Sequence, residues 1–324
     1  MRINYLLLGF YPFPKPISSK IAPMKLFIAF LLISSSVWSR SVIPEQVVLN
    51  PLNIYHKKNK VLEDGSVEVH AVDFSRRGSF LYNKKKVLIS KEKFDEYVRV
   101  ANAVQQMIPD EWSRTEESSR RGTAFHIGHN LVLTNAHVLD PTFTNTTHCS
   151  DFRLTDFQNN SYSCKNVLYC NAEHDVCLIE MNTTEKAEKG TGTKKTFSLA
   201  QGPALKLKLN YRSEIMDINE EVLTAIGNSG GQGTHYSQGK GVRTLSARTY
   251  FYAPITQGNS GGPLLNKRNE VVGIVKLQSK NLIGNDNSKV YNIALPSDYA
   301  VELIRKALEN DQGMLRKFNQ AVIE

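Results

Sequence analysis

The stretch with the most evident chemical potential is Gly258-Asn259-Ser260-Gly261-Gly262-Pro263. A serine hydroxyl is a weak nucleophile alone, so it needs a base to accept its proton and donors that stabilise the developing oxyanion. Glycine at 258 permits the backbone turn that would direct two N–H groups inward. The stretch therefore predicts Ser260 as a nucleophile, with the backbone N–H groups of Gly258 and Ser260 as the oxyanion hole.

A base and a carboxylate precede this serine in the order His137, Asp175, Ser260. A histidine can take the serine proton and return it to a leaving amine, and a carboxylate can hold the imidazole in the required tautomer. Asp151 and Asp156 are competing candidates for the carboxylate. Asp175 is preferred because an apolar, strand-like run follows it directly. The predicted catalytic set is therefore His137, Asp175 and Ser260.

A second copy of the same five letters, Gly227-Asn228-Ser229-Gly230-Gly231, is a rival for the nucleophile. It lacks the following Pro-Leu-Leu and lies in a turn-rich stretch, which favours a loop role for Ser229. Both copies also fit the Gly-x-Ser-x-Gly pattern of α/β-hydrolases, in which the histidine follows the serine. All eight histidines precede Ser260, and only His235 follows Ser229. The chain order therefore excludes the esterase interpretation.

At these three motifs the sequence resembles the trypsin-like serine proteases, whose chain order is His, Asp, Ser. The resemblance covers about residues 115 to 305 and is strongest to the bacterial glutamyl-endopeptidase-like and HtrA-like branches, in a form without a PDZ domain. It implies an all-β fold of two six-stranded antiparallel β-barrels with the active site between them. His137 and Asp175 would come from the first barrel and Ser260 from the second. Many short strands separated by Gly and Asn turns agree with such a fold.

The resemblance also suggests a substrate pocket and a mode of activation. Pro254, Ile255 and Val275 occupy the pocket positions, and none of them carries a charge that would select Arg, Lys or acidic residues. We therefore expect cleavage after small or aliphatic residues. Asn259 stands where the digestive enzymes have an aspartate that pairs with a new amino terminus. Since Asn259 is neutral, we expect local contacts to hold the oxyanion hole.

The chain divides into five predicted segments. They are 1–39, a signal peptide region with Met24 as an alternative start; 40–113, an N-terminal extension or pro-segment; 114–200, the first barrel; 201–295, the second barrel; and 296–324, a C-terminal helix. The signal assignment depends on a lysine followed by a short apolar run and small residues. Within the extension, apolar residues at helical spacing run from a Ser90 cap to Ile108, before Pro109, and predict an amphipathic helix.

Four cysteines, Cys149, Cys164, Cys170 and Cys177, lie within 29 residues of one another. In an exported chain the default is two disulfides, with three possible pairings. We favour Cys149–Cys164, which would close a hairpin-like loop, and Cys170–Cys177, which would brace the strand after Asp175. A zinc site formed by the last three cysteines and His174 is the alternative, but its spacing matches no zinc signature.

The net charge of +9 is unevenly distributed. Residues 1–121 hold 19 Lys and Arg against 12 Asp and Glu, whereas the remainder holds 21 against 19. The protease-like part is thus nearly neutral, which argues against nucleic acid as a partner. We expect a secreted or periplasmic serine endopeptidase that acts on protein or peptide substrates through an acyl-enzyme on Ser260. No cofactor, metal or stable membrane insertion after signal cleavage is expected. The alternative is a catalytically inactive homologue that serves as an extracellular binding module.

Overall fold

The structure, a computed structural model, describes most of the chain from Leu52 onward. The described residues are 52–55, 58–73, 81–109, 122–139, 148–149, 152–156, 160–182, 184–187, 194–211, 221–229, 233–245, 247–280 and 290–324. The predicted signal region lies outside them. Among the described residues, no helix combines the length and apolar character needed to cross a bilayer.

Among the described residues, four strands and one helix precede the first barrel. They are β1 Leu52–Asn53, β2 Lys60–Val61, β3 Val67–Asp73, β4 Leu81–Ile89 and α1 Lys91–Ala101. Ser90 caps α1 as predicted, because its side chain accepts a hydrogen bond from the backbone N–H of Lys93 at 3.2 Å. The predicted continuation of this helix to Ile108 is wrong. The helix ends at Ala101, and the next segment is a strand.

Six antiparallel strands form the first barrel. They are β5 Val104–Pro109, β6 Gly122–Gly128, β7 Leu131–Thr134, β8 Phe152–Thr155, β9 Ser161–Asn171 and β10 Val176–Met181, with the short helix α2 Ala136–Leu139 after β7. The barrel is closed in the order β10-β7-β6-β5-β8-β9. Since β5 pairs with both β6 and β8, the first barrel takes one strand from segment 40–113.

The second barrel also has six strands. Before it come β11 Thr184–Ala187 and β12 Lys194–Phe197, which pair with each other, a 3₁₀ turn at Leu199–Gln201 and β13 Leu207–Lys208. The barrel strands are β14 Val222–Gly227, β15 His235–Leu245, β16 Arg248–Phe251, β17 Pro263–Leu265, β18 Val271–Lys280 and β19 Val290–Pro296. They follow the order β14-β17-β18-β19-β16-β15, and β15 pairs back to β14. The predicted pair of six-stranded barrels is confirmed.

The N-terminal strands extend the sheet of the second barrel. β1 pairs with β15 on one side and with β3 on the other, and β3 also pairs with β2 and β4. Helix α1 packs on the same sheet, where the rings of Tyr97 and Tyr236 stack with centroids 3.9 Å apart. Leu52, Val67 and Val69 are buried in the same core cluster as these tyrosines. Burial of this apolar surface joins the segment firmly to the second barrel.

The C-terminal region contains more structure than the single predicted helix. Two helices, α3 Ser297–Ala307 and α4 Gln312–Asn319, are followed by β20 Val322–Ile323. β20 runs parallel to β13, with Leu207 opposite Val322. The predicted residues Val301, Ile304 and Leu308 are buried, which confirms the first helix.

Candidate active site

The imidazole of His137 and the carboxylate of Asp175 form a close pair. Nδ1 of His137 lies 2.9 Å from both carboxylate oxygens, and the backbone N–H of His137 donates to Oδ1 at 3.0 Å. The Asp175 side chain is 10% exposed and that of His137 30% exposed. A carboxylate in this place makes Nδ1 the protonated nitrogen and leaves the Nε2 lone pair available as a base. Asp156, a competing candidate in the sequence, instead accepts hydrogen bonds from Asn160 and Tyr162.

Two elements of the first barrel hold this pair. His137 lies in α2 directly after β7, and Asp175 lies in the turn before β10, with a left-handed φ of 60°. The side chain of Asn135 donates to the Asp175 carbonyl at 2.8 Å, which fixes the turn against the start of α2. β7 and β10 are paired directly. Because β7 and β10 are neighbouring strands, the base that follows β7 and the carboxylate that precedes β10 lie side by side.

Ser260 lies in a tight turn before β17 that depends on two glycines with left-handed backbones, Gly258 (φ 98°) and Gly261 (φ 85°). A Cβ at Gly261 would lie 2.1 Å from the carbonyl oxygen of Thr123. The backbone N–H of Thr123 donates to the Ser260 carbonyl at 2.9 Å, and its hydroxyl donates to the Gly258 carbonyl at 2.6 Å. Strand β6 therefore holds the turn of the second barrel against the first barrel.

The Ser260 hydroxyl points at a backbone oxygen of β18. It donates to the carbonyl of Lys276 at 2.8 Å. Because a hydroxyl has one proton, Ser260 does not donate to His137 in this conformation. Catalytic hydrogen bonds are often long or misaligned without substrate, and a rotation of the serine side chain would redirect the proton. His137 and Asp175 are thus in direct contact, whereas Ser260 is connected to them through Lys276, whose carbonyl accepts from the serine and whose ammonium lies 3.8 Å from Oδ2 of Asp175.

Asn259 is held by the second Gly-Asn-Ser-Gly-Gly copy. Its amide nitrogen donates to the Ser229 hydroxyl at 2.8 Å and to the Thr256 carbonyl at 3.1 Å, while the Ser229 hydroxyl lies 3.1 Å from its amide oxygen. Asn259 is 3% exposed and Ser229 is 0% exposed. A fully buried hydroxyl cannot reach a substrate, so Ser229 is an anchor for the residue before Ser260. The repeated Gly-Asn-Ser-Gly-Gly sequence alone did not predict the contact between Ser229 and Asn259.

We expect Ser229→Ala to lower kcat roughly 2- to 10-fold with little change in KM, since one buried hydrogen bond contributes about 0.5–1.5 kcal/mol. Steady-state kinetics on a peptide ester would measure this. Ser237→Ala, which removes a buried hydroxyl of β15, is the matched control and should leave kcat unchanged. A loss as large as that caused by removing the Ser260 hydroxyl would make Ser229 the nucleophile.

Lys276 is a neighbour of Asp175 that sequence reasoning missed. Its ammonium lies 3.8 Å from Oδ2 of Asp175 and donates to the His174 carbonyl at 3.1 Å. Burial lowers the pKa of Lys276, the negative charge of Asp175 opposes that change, and the positive charge of Arg248 adds to it. A lysine directly after the apolar run 271–275 of β18 was a visible signal, because lysine rarely lies so deep without a partner.

The expected pocket residues differ in their exposure. Ile255 and Val275 are 6% and 1% exposed and lie in the core cluster of the second barrel. Pro254 is half-buried. Asn292 of β19 donates to the Ala253 carbonyl, and its amide oxygen has no partner among the described residues. The buried amide of Asn292 therefore lies beside the segment 253–255, for which the sequence predicted only apolar pocket residues.

Both favoured disulfides are supported. Cys149 is bonded to Cys164, and Cys170 is bonded to Cys177 across the paired strands β9 and β10. Disulfide sulfurs are not thiolate ligands, so the alternative zinc set would have no free thiolate. Cys170–Cys177 closes the turn that contains Asp175.

The chain was compared with known families and structures. Residues 122–274 match the model of the trypsin-like peptidase domain. No curated protein matches the chain. Among solved structures, the crystal structure of the serine endoprotease from Yersinia pestis is similar, with 20% identity and a TM-score of 0.46 over 66% of this chain. The match spans 65% of that protein's length. Residues 122–274 of this chain are therefore similar in sequence to trypsin-like peptidase domains.

Proposed function

We propose that this chain is a secreted or periplasmic serine endopeptidase that hydrolyses peptide bonds through an acyl-enzyme on Ser260. The observation that carries the proposal is the contact of His137 Nδ1 with Asp175 at 2.9 Å, together with the connection of the Ser260 turn to the same carboxylate through Lys276. The match of residues 122–274 to the trypsin-like peptidase domain supports it. Two disulfides support export, because such bonds persist in oxidising compartments.

The reaction begins with a rotation of the Ser260 side chain away from the Lys276 carbonyl. His137 Nε2 then takes the hydroxyl proton while Oγ attacks the substrate carbonyl carbon. The negative oxygen of the tetrahedral intermediate is bound by the N–H groups of Gly258 and Ser260. Collapse of the intermediate breaks the C–N bond, and the imidazolium gives its proton to the leaving amine.

Deacylation repeats these steps with water as the nucleophile. His137 accepts a proton from the water, hydroxide adds to the acyl carbon, and the Ser260 oxygen leaves with that proton. Asp175 accepts a hydrogen bond from Nδ1–H throughout and stabilises the imidazolium. His137 thus acts as both the general base and the general acid. The other groups in the proposed steps are side chains and backbone N–H groups of this chain.

The proposal is tested by incubating the purified chain with an unfolded protein and sequencing the new amino termini by mass spectrometry. We expect internal cleavage that a sulfonyl fluoride abolishes. The inactive-homologue alternative has one observation in its favour, namely the hydrogen bond from Ser260 to Lys276. A folded chain that neither cleaves protein nor reacts with the inhibitor would favour that alternative.

For specificity we expect cleavage after small or aliphatic residues. Pro254, Ile255 and Val275 bring no charge to the pocket, and an uncharged wall does not compensate for the desolvation of a buried cation or carboxylate. Profiling on a peptide library with all residues at the cleaved position measures this preference. A clear preference for Arg or Lys would contradict the expectation. A preference for Gln or Asn would instead assign to the pocket the amide oxygen of Asn292, which has no partner among the described residues.

A further inference from the structure

Lys276 brings a positive charge to the carboxylate that orients the candidate base. Its Nζ lies 3.8 Å from Oδ2 of Asp175, the same oxygen that lies 2.9 Å from Nδ1 of His137. The side chains of Lys276 and Asp175 are only 18% and 10% exposed. Charges removed from water interact more strongly and are screened less by salt. Asp175 is therefore shared between an imidazole and an ammonium in a poorly hydrated space.

Other ionisable groups around the pair come from three elements. The ring of His174, in the turn before β10, lies at 5.1 Å from that of Tyr299 in α3, with its Nδ1 at 3.4 Å from the tyrosine hydroxyl. Arg248 of β16 adds positive charge near Lys276. Among the residues that the structure describes, Asp175 is thus a carboxylate in contact with both the imidazole of His137 and the ammonium of Lys276. A proton added to His137 would place a further positive charge beside them.

We propose that Lys276 is a positioning residue whose positive charge, placed beside Asp175, makes a second positive charge on His137 less favourable. This inference rests on the proposed function, in which neutral His137 is the base. Like charges disfavour each other, so the ammonium makes the imidazolium less favourable than it would be beside Asp175 alone. The base consequently stays neutral, and the enzyme stays active, in more acidic solution. The alternative is a purely structural lysine whose purpose is the hydrogen bond to the His174 carbonyl.

The pH dependence of kcat/KM separates these roles. Lys276→Met keeps the apolar part of the side chain and removes the charge. We expect it to shift the midpoint of the acid limb of the kcat/KM profile to a higher pH by about half to one pH unit. Lys276→Arg keeps the charge and should leave the limb within about 0.2 pH units of the native chain. Lys267→Met removes an exposed lysine of the β17–β18 turn and is the matched control. A purely structural role would lower activity without moving the limb.

A second measurement does not require activity. In Ser260→Ala protein with isotope-labelled histidine, the Cε1 signal of His137, identified by its loss in His137→Gln, is titrated by NMR with and without Lys276→Met. We expect the midpoint to rise when the lysine is removed, even if no substrate is ever cleaved. An unchanged or lower midpoint would overturn the inference and leave the proposed function intact. If the methionine variant does not fold, Lys276→Gln is a second neutral side chain for the same titration.

Discussion

Replacing Ser260 by alanine, or His137 by alanine, is expected to lower kcat by roughly 10⁵- to 10⁶-fold, because nucleophile and base act as one unit. The double variant should be hardly worse than either single one. KM should change little, since neither side chain contributes much to substrate binding in the ground state. Steady-state kinetics on an activated peptide ester, with active-site titration of the native chain, measure the effect.

Both variants should fold. Ser260 is half-buried and loses one hydrogen bond to the Lys276 carbonyl, and His137 is 30% exposed. Unchanged thermal unfolding therefore separates chemistry from stability. The account is contradicted if either variant retains more than about one hundredth of the native kcat, since a residual rate of that size requires another nucleophile or base.

A chain beginning at Arg114 is expected not to fold. It lacks β5, the strand that lies between β6 and β8 in the closed first barrel. Val104 and Met107 of this strand are 1% and 0% exposed. Their loss alone costs roughly 3–6 kcal/mol, a large part of a typical stability of about 5–15 kcal/mol. Two unpaired strand edges would also remain, which favours aggregation. Soluble yield and circular dichroism measure the outcome.

Chains beginning at Arg40 and at Ser90 are the controls. The first keeps every described element and should be folded and active. The second keeps α1 and β5 but loses β1–β4, including the buried Leu52, Val67 and Val69, so it should fold with a lowered Tm. If the chain from Arg114 is instead soluble, cooperative and more active than the longer ones, residues 40–113 act as a removable pro-segment.

The candidate site was predictable from the sequence where residue type and local context define the chemistry. His137, Asp175 and Ser260 each lie in a motif whose neighbours determine the turn, such as the glycines around Ser260. Of the three possible disulfide pairings, the favoured one is the one found, because one bond closes a hairpin-like loop and the other braces the strand after Asp175. In contrast, the contacts of Lys276 and Ser229 were not predictable, because both depend on strands that are distant in the sequence and adjacent in the barrels.

The wrong prediction of a helix in the segment after α1 has a simple physical cause. Val104 and Ile108 are four residues apart, and this spacing fits one face of a helix as well as one face of a strand. Local periodicity therefore could not distinguish the two. The pairing of β5 with β6 and β8 gives the backbone groups on both sides of the segment hydrogen-bond partners. A helix at this place would leave β6 and β8 without these partners. Tertiary pairing overrides local preference at this point.

The central claim, that Ser260 is the activated nucleophile, is tested most directly by covalent labelling. The native chain is treated with a fluorophosphonate, digested, and the modified residue is located by mass spectrometry. We predict one phosphonylated residue, Ser260, with labelling abolished in the His137→Ala variant, because only a serine beside a functioning base reacts at a useful rate. Label on Ser229, or no label on a chain shown to be folded, would contradict the account.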